Sequence, residues 1–184
     1  VSHLRSMTDP ETDLEINCRS QLSLLEACRG NNPGVRIVFA STRQVYGRPE
    51  SLPVAETHPC RPVDVNGINN LAAEMYYGLY HRVYGIESVS LRLTNTYGPR
   101  MDLRTGDKGF LGVFLRRALL GEPIDVYGSG RQRRDFNYVD DVVDALLRAG
   151  ASPSLGGEVF NLGYPETHDL LDVVRILADL TGCP

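Results

Sequence analysis

Along this chain, short unbroken apolar runs alternate with stretches whose apolar residues recur at helical spacing, and polar residues gather where the runs end. Residues 36–47, RIVFASTRQVYG, organise the rest. Ile37, Val38, Phe39 and Ala40 form an apolar run with Gly34 in front and polar residues behind, which predicts a strand buried on both faces of a parallel sheet. Ligands of open α/β sheets bind at the carboxyl ends of strands, so Ser41 and Thr42 stand where hydroxyls would meet a ligand. Capping a turn is the other role open to them. Upstream, residues 1–4 read as the end of a strand. Asp9-Pro10-Glu11 then opens a helix carrying Leu14, Ile16, Leu22, Leu25 and Ala27, which the run Gly30-Asn31-Asn32-Pro33-Gly34 stops. Pro49, Pro53, Pro59 and Pro62 make residues 49–62 a loop, and Leu71, Met75, Leu79 and Val83 predict a helix over 66–84 that ends at Gly85.

A strand over 88–93 follows, again ending in a polar stretch, TNTYGPR. Beyond it the pattern predicts a helix over 110–120, a short strand over 124–127, a helix over 139–149, a strand over 158–162 and a final helix over 169–180. Strands alternating with helices imply a parallel α/β sheet, followed by a smaller mixed lobe. Composition adds exclusions. At 184 residues the chain is long enough for a proper core, and its net charge of −4, without a basic aromatic-interleaved stripe, excludes a nucleic-acid role. Cys18, Cys28, Cys60 and Cys183 form no CxxC pair, which argues against a zinc site or redox motif and fits a reducing cytoplasm. His3 and His168 lack metal-ligand neighbours at useful spacing, so no metal is expected. No apolar run is long enough to span a bilayer. The chain opens Val-Ser-His with its first methionine at Met7, and is expected to be the remainder of something longer. Lys108 is the sole lysine among 19 basic residues.

STRQVYG, RPVDVNGINNLAAE, SLRLTNTYGPR and IDVYGSGRQRRDFNYVDD, in this order and at these distances, resemble the extended short-chain dehydrogenase/reductase superfamily, and within it the NAD-dependent sugar-nucleotide epimerases and dehydratases of the UDP-glucose 4-epimerase type. The resemblance implies the C-terminal part of a Rossmann-like parallel sheet with helices, joined to a small mixed α/β substrate lobe. Residues 1–100 would be the remaining part of the NAD-binding domain and 101–184 mostly the nucleotide-sugar lobe. NAD is the implied cofactor, with most of its site, including the GxxGxxG turn, in a first half that this sequence lacks. The implied partners are a nucleotide-sugar substrate and a second copy of the chain, in a cytoplasmic homodimer through helices 13–29 and 66–84.

In that family a Tyr-x-x-x-Lys pair on one helix face works with a strand-end hydroxyl to remove a proton from the sugar while NAD takes a hydride. Thr42 matches the hydroxyl, with Ser41 beside it toward the cofactor, but the register places Asn66 and Asn70 at the tyrosine and lysine positions. No other register restores the pair, because the residue four before Lys108 is Arg104. An amide neither ionises near neutrality nor carries charge. Arg43 and Gln44 stand where the dehydratase branch has its acid pair, which favours epimerisation over 4,6-dehydration. The implied function is thus a 4-epimerase-like reaction by transient hydride transfer to NAD; the alternative is a catalytically impaired sugar-nucleotide binding or scaffold protein. Tyr46, His58, His81 and Tyr76 could act as a base by chemistry alone, each with a structural role also open to it. For the substrate, Asn95 matches the asparagine at the diphosphate and Arg134 the arginine that grips a phosphate, while Val126 lies in the stretch that lines the nucleotide base. Asn17 resembles an asparagine that braces the active-site loop.

Overall fold

The computed structural model describes residues 3–104 and 109–182, with the side chain of His3 outside the description; the sole lysine, Lys108, and Cys183 also lie outside the described residues. In chain order the elements are α1 (His3–Thr8), α2 (Pro10–Leu14), a π-helical turn (Glu15–Arg19), α3 (Ser20–Asn31), β1 (Arg36–Thr42), a 3-10 turn (Arg43–Tyr46), α4 (Val65–Tyr84), β2 (Glu87–Leu93), β3 (Asn95–Tyr97), α5 (Phe110–Leu120), β4 (Arg133–Tyr138), α6 (Val139–Ala151), β5 (Val159–Leu162), β6 (Thr167–Asp169) and α7 (Leu170–Thr181). They fall into two compact units, Val1–Thr94 with Asp141–Leu162, and Asn95–Asp140 with Gly163–Pro184.

The first unit is built on a parallel sheet in the order β1-β2-β5, in register from Arg36 opposite Glu87 to Thr42 opposite Leu93. Strand periodicity divides its side chains between two faces. On one, Leu25, Phe39, Ala73, Tyr77, Tyr80 and Ile86 form a buried cluster under α3 and α4, with Phe39 and Tyr77 stacked at 4.8 Å. On the other, Val89, Leu91 and Ala149 pack with Val38 and Leu93 beneath α6. The parallel α/β class expected from the sequence is therefore what the chain forms. The strand at 36–42, expected to be buried on both faces, is an edge of the described sheet and is buried only in part. Phe39 and Ser41 are buried while Ala40 is exposed, whereas the interior of β2 is buried throughout.

In the second unit β3 and β4 are parallel and β4 and β6 antiparallel, with Phe114, Ala118, Leu170, Val173 and Leu177 as the core between α5 and α7. Two expected strands are corrected. Residues 124–127 form no ladder among the described residues; Ile124 and Val126 reach this second core as side chains alone. His3 and Leu4, expected at a strand's end, lie in α1, which the Asp9 amide continues by donating to the Arg5 carbonyl at 2.8 Å in helical register. The remaining expected elements recur with shifts of one or two residues. No helix of the described residues is long and apolar enough to cross a membrane.

Candidate functional site

The carboxyl end of β1 is tied to the start of α4 by polar side chains in sequence. Thr42 Oγ1 accepts the Gln44 amide at 3.3 Å, capping the 3-10 turn; Gln44 Nε2 donates to Asp64 Oδ2 at 3.2 Å; and Asp64 Oδ1 accepts the Gly67 amide at 2.6 Å, capping α4. Gly67 is required by the closeness of this approach, since a Cβ there would lie 2.7 Å from the Gln44 carbonyl oxygen and 2.9 Å from Pro62. Thr42 is thus placed by its own cap bond and Ser41, next to it, points under α4, where its hydroxyl donates to the Glu74 carboxylate.

Glu74 also takes the guanidinium of Arg92. Arg92 Nε lies 3.1 Å from both carboxylate oxygens and Nη2 2.7 Å from Oε2, with both residues only 6% exposed. The remaining nitrogen, Nη1, donates to the Tyr46 hydroxyl at 2.7 Å, and the guanidinium lies 4.7 Å from the centre of the Tyr46 ring. Burial works against the arginine's charge; the Glu74 carboxylate and Tyr46 outweigh it, and the guanidinium's pKa is raised. Cys60 sits beside this pair, its thiol pushed up by burial.

Helix spacing puts Asn66, Asn70 and Glu74 on one face of α4, and Asn69 beside them. The amide nitrogens donate to protein acceptors. Asn66 Nδ2 donates to Asp13 Oδ2 at 3.1 Å, Asn69 Nδ2 to Asp13 Oδ1 at 2.8 Å, and Asn70 Nδ2 to the Asn66 carbonyl at 2.8 Å. Asp13 is fully buried at the end of α2, one turn ahead of the π-helical turn that carries Asn17. Among the described residues Asn17 Nδ2 is buried without a hydrogen-bond partner. Sequence reading missed Asp13, Asn69, Arg92 and Asn161. An arginine inside an otherwise uncharged strand, SVSLRL, was the available signal for Arg92, since such a charge demands a buried counter-ion; Asp13 looked like an ordinary acid of a helix's first turn.

Of the other candidate bases, Tyr46 accepts from Arg92 and donates to Asn161 Oδ1 at 2.7 Å. His58 Nε2 accepts the Glu50 amide at 3.0 Å and Nδ1 faces the Pro59 carbonyl at 2.9 Å, which makes Nδ1 the protonated nitrogen. His81 Nδ1 lies 3.3 Å from the Ile86 carbonyl. A groove of about 560 Å³ flanks α4, floored by Ser88 and Ser90; Tyr76 lines it, and the Glu74–Arg92 pair borders it.

The predicted substrate residues lie in the second unit, and the first unit holds Ser41, Thr42, Asn66 and Asn70. Asn95 Nδ2 donates to the Asp135 carbonyl at 2.9 Å, joining β3 to β4 next to Arg134. Arg134 Nη1 donates to the Arg133 carbonyl at 2.7 Å, and Val126 packs against the second core. Arg133 clasps Thr167 across the β4–β6 pair through Nε to Oγ1 at 2.7 Å. Among the described residues no cluster of three or more histidine, cysteine, aspartate or glutamate side chains is placed to hold a metal.

A parallel sheet with helices on both faces, whose strands end in hydroxyl and amide side chains, places the chain in the Rossmann-like α/β class. The chain belongs to the NAD dependent epimerase/dehydratase family, whose model matches residues 2–163. It is 34% identical over 186 residues to a UDP-glucose 4-epimerase of Mycolicibacterium smegmatis, covering 100% of this chain and 58% of that protein. The crystal structure of the Thermotoga maritima UDP-glucose 4-epimerase with UDP-glucose matches with a TM-score of 0.92 at 34% identity, over 100% of this chain and 59% of that one. The Thermus thermophilus UDP-glucose 4-epimerase in complex with NAD matches at 0.87 and 36% identity, over 100% and 60%. The chain therefore spans a little over half the length of these relatives.

The family description implies NAD. Of the residues expected against it, Ser41 donates to Glu74, Asn66 to Asp13 and Asn70 to the Asn66 carbonyl, which leaves the Asn70 amide oxygen and the second Asn66 N–H for other partners. No ionisable group replaces the tyrosine at position 66.

Proposed function

We propose that this chain is part of a protein that acts on a nucleotide-activated sugar in the manner of a 4-epimerase, with most of the NAD contacts supplied by sequence outside it. The observation that carries this reading is the pairing of a fixed strand-end hydroxyl, Thr42 on its cap bond, with relatives that are UDP-glucose 4-epimerases. Residues 1–100 would then complete the cofactor-side domain and 101–184 most of the substrate lobe. In that lobe Arg134 offers a planar donor fork suited to phosphate oxygens, Asn95 an amide for the diphosphate region, and Val126 an apolar wall for the base. Arg43 and Gln44 after Thr42 provide no acid pair for water elimination, which supports epimerisation over dehydration.

A homodimer through helices 13–29 and 66–84 belongs to the same reading. Its support is the exposure of Leu14, Ile16 and Leu24 along the first segment and of Ile68, Met75, Leu79 and Val83 along the second.

A second reading, nucleotide-sugar binding without turnover, is favoured by the Asn66–Asp13 and Asn70–Asn66 bonds, which occupy the two amides at the positions of the catalytic pair. One experiment separates the two. The complete protein is incubated with UDP-glucose and NAD and followed by proton NMR. Appearance of the C4 epimer supports the first reading; binding without the epimer sinks it and leaves the second; absence of binding sinks both.

A further inference from the structure

We propose that Tyr46 is a positioning residue: standing on the buried Glu74–Arg92 pair, it orients Asn161 and through it clamps the segment 48–62 at the carboxyl ends of the strands. The donor inventory fixes the direction of every bond in this chain of contacts. A guanidinium has no acceptor, so the Tyr46 oxygen must accept from Arg92 Nη1 at 2.7 Å. Its own proton is then free for the next acceptor, Asn161 Oδ1, at 2.7 Å. With the Asn161 oxygen turned to the phenol, its amide nitrogen faces the other way and donates to the Val54 carbonyl at 2.8 Å. The Asn161 backbone amide donates to Glu56 Oε1, also at 2.8 Å. One residue of β5 thus holds two points of the segment, Val54 by its side chain and Glu56 by its backbone, and Tyr46 sets the orientation of that side chain.

The foundation does not yield easily. Tyr46 is 4% exposed and Arg92 and Glu74 each 6%, and the bidentate pair is held by a third donor, the Ser41 hydroxyl. The segment itself is folded on its own contacts. Arg61 Nη1 meets Glu50 Oε1 at 2.7 Å, and the Glu50 amide meets His58 Nε2 at 3.0 Å. Its ends converge where Gly47, at φ +67°, runs so near the Arg61 carbonyl that a Cβ would lie 2.0 Å from that oxygen. This folded segment meets the sheet through the two Asn161 bonds, to the Val54 carbonyl and to Glu56, and its His58 ring stands edge-on to the Tyr46 ring at 5.7 Å. Strand carboxyl ends are where α/β sheets take ligands, so the clamp would shape the wall beside a bound sugar nucleotide. That consequence rests on the nucleotide-sugar reading; the clamp itself does not.

The test uses the complete protein as wild type, Tyr46→Phe and Asn161→Asp. Phenylalanine keeps the ring under Arg92 and removes the hydroxyl, while aspartate keeps an acceptor for Tyr46 and removes the donor to Val54, so either variant tests the clamp if the other fails to fold. Hydrogen exchange is read by mass spectrometry over 48–62 and over β2, and UDP-glucose affinity by calorimetry. Loss of one such hydrogen bond is expected to speed exchange in 48–62 about tenfold, with β2 unchanged, and to weaken UDP-glucose several-fold. Unchanged exchange in 48–62 in the folded variants overturns the clamp, whatever the ligand does. Faster exchange in a protein that never binds UDP-glucose supports the clamp and sinks the nucleotide-sugar reading. Faster exchange with unchanged UDP-glucose affinity overturns the role of the clamp in shaping the site.

Discussion

Replacing Glu74 with alanine strands the Arg92 guanidinium in the protein interior. The pair is joined by contacts of 2.7 and 3.1 Å, and its side chains are only 7% and 4% exposed, so solvent cannot take over the lost partner. Removing one member of such a buried pair costs about 3–5 kcal/mol, much of it the penalty for an uncompensated buried charge. At about 2–4 °C per kcal/mol for a domain of this size, the melting temperature should fall by about 6–20 °C. The exposed Arg19–Glu15 pair is the internal control. It has the same 2.7 Å separation but side chains 71% and 55% exposed, and Glu15→Ala should cost no more than about 0.5 kcal/mol. The chain has no tryptophan, so urea unfolding is followed by far-ultraviolet circular dichroism, with the slope m held as a check on two-state behaviour. A Glu74→Ala cost below about 1 kcal/mol, or one equal to that of Glu15→Ala, would refute the claim that burial makes this pair matter.

Further perturbations probe the rest of the first unit and the cap of the second. Asp13→Ala leaves the Asn66 and Asn69 amides without their buried acceptor, and urea unfolding should show a loss of about 2–5 kcal/mol that is largely shared with Asn69→Ala in a double-mutant cycle. Gly67→Ala drives a methyl against the Gln44 carbonyl and Pro62, and should lower the unfolding midpoint despite alanine's better helix propensity, whereas Gly30→Ala, with open space around it, should not. Asp169 caps α7, and the Asp172 backbone amide, with a lesser contribution from Arg131, holds its carboxyl below the usual range. Because the folded pKa is the lower one, this stabilisation is complete above the ordinary aspartate value of about 3.9 and disappears as the pH falls through the folded value. Acid titration of wild type against Asp169→Asn, read by thermal unfolding, should show this dependence only in the wild type.

Much of the architecture was legible because it rests on periodicity. The run at 37–40 and the spacing of Leu71, Met75, Leu79 and Val83 marked a strand and a helix that the structure contains. Position within the sheet was not legible: an apolar run reads the same at an edge as at a centre, and only pairing on one side distinguishes β1. Residues 124–127 show the same limit, since Ile124 and Val126 have strand-like spacing yet serve the core without a ladder. At the candidate site, residue types pointed to Thr42, Asn66 and Asn70, while orientation decided their partners. Asn66 turns toward Asp13 because a buried carboxylate 53 residues away needs donors, a demand that no local pattern announces. Asn161 went unread for the same reason, its partners being distant in sequence, whereas the charge of Arg92 inside an apolar strand announced a buried counter-ion without saying which.

Calorimetric titration decides whether this chain contributes to a nucleotide-sugar site. UDP-glucose is titrated into the complete protein and into its Arg134→Ala variant. Saturable 1:1 binding per chain by the wild type, weakened at least tenfold in the variant, is the predicted result. Absence of saturable binding by the folded wild-type protein would contradict the account.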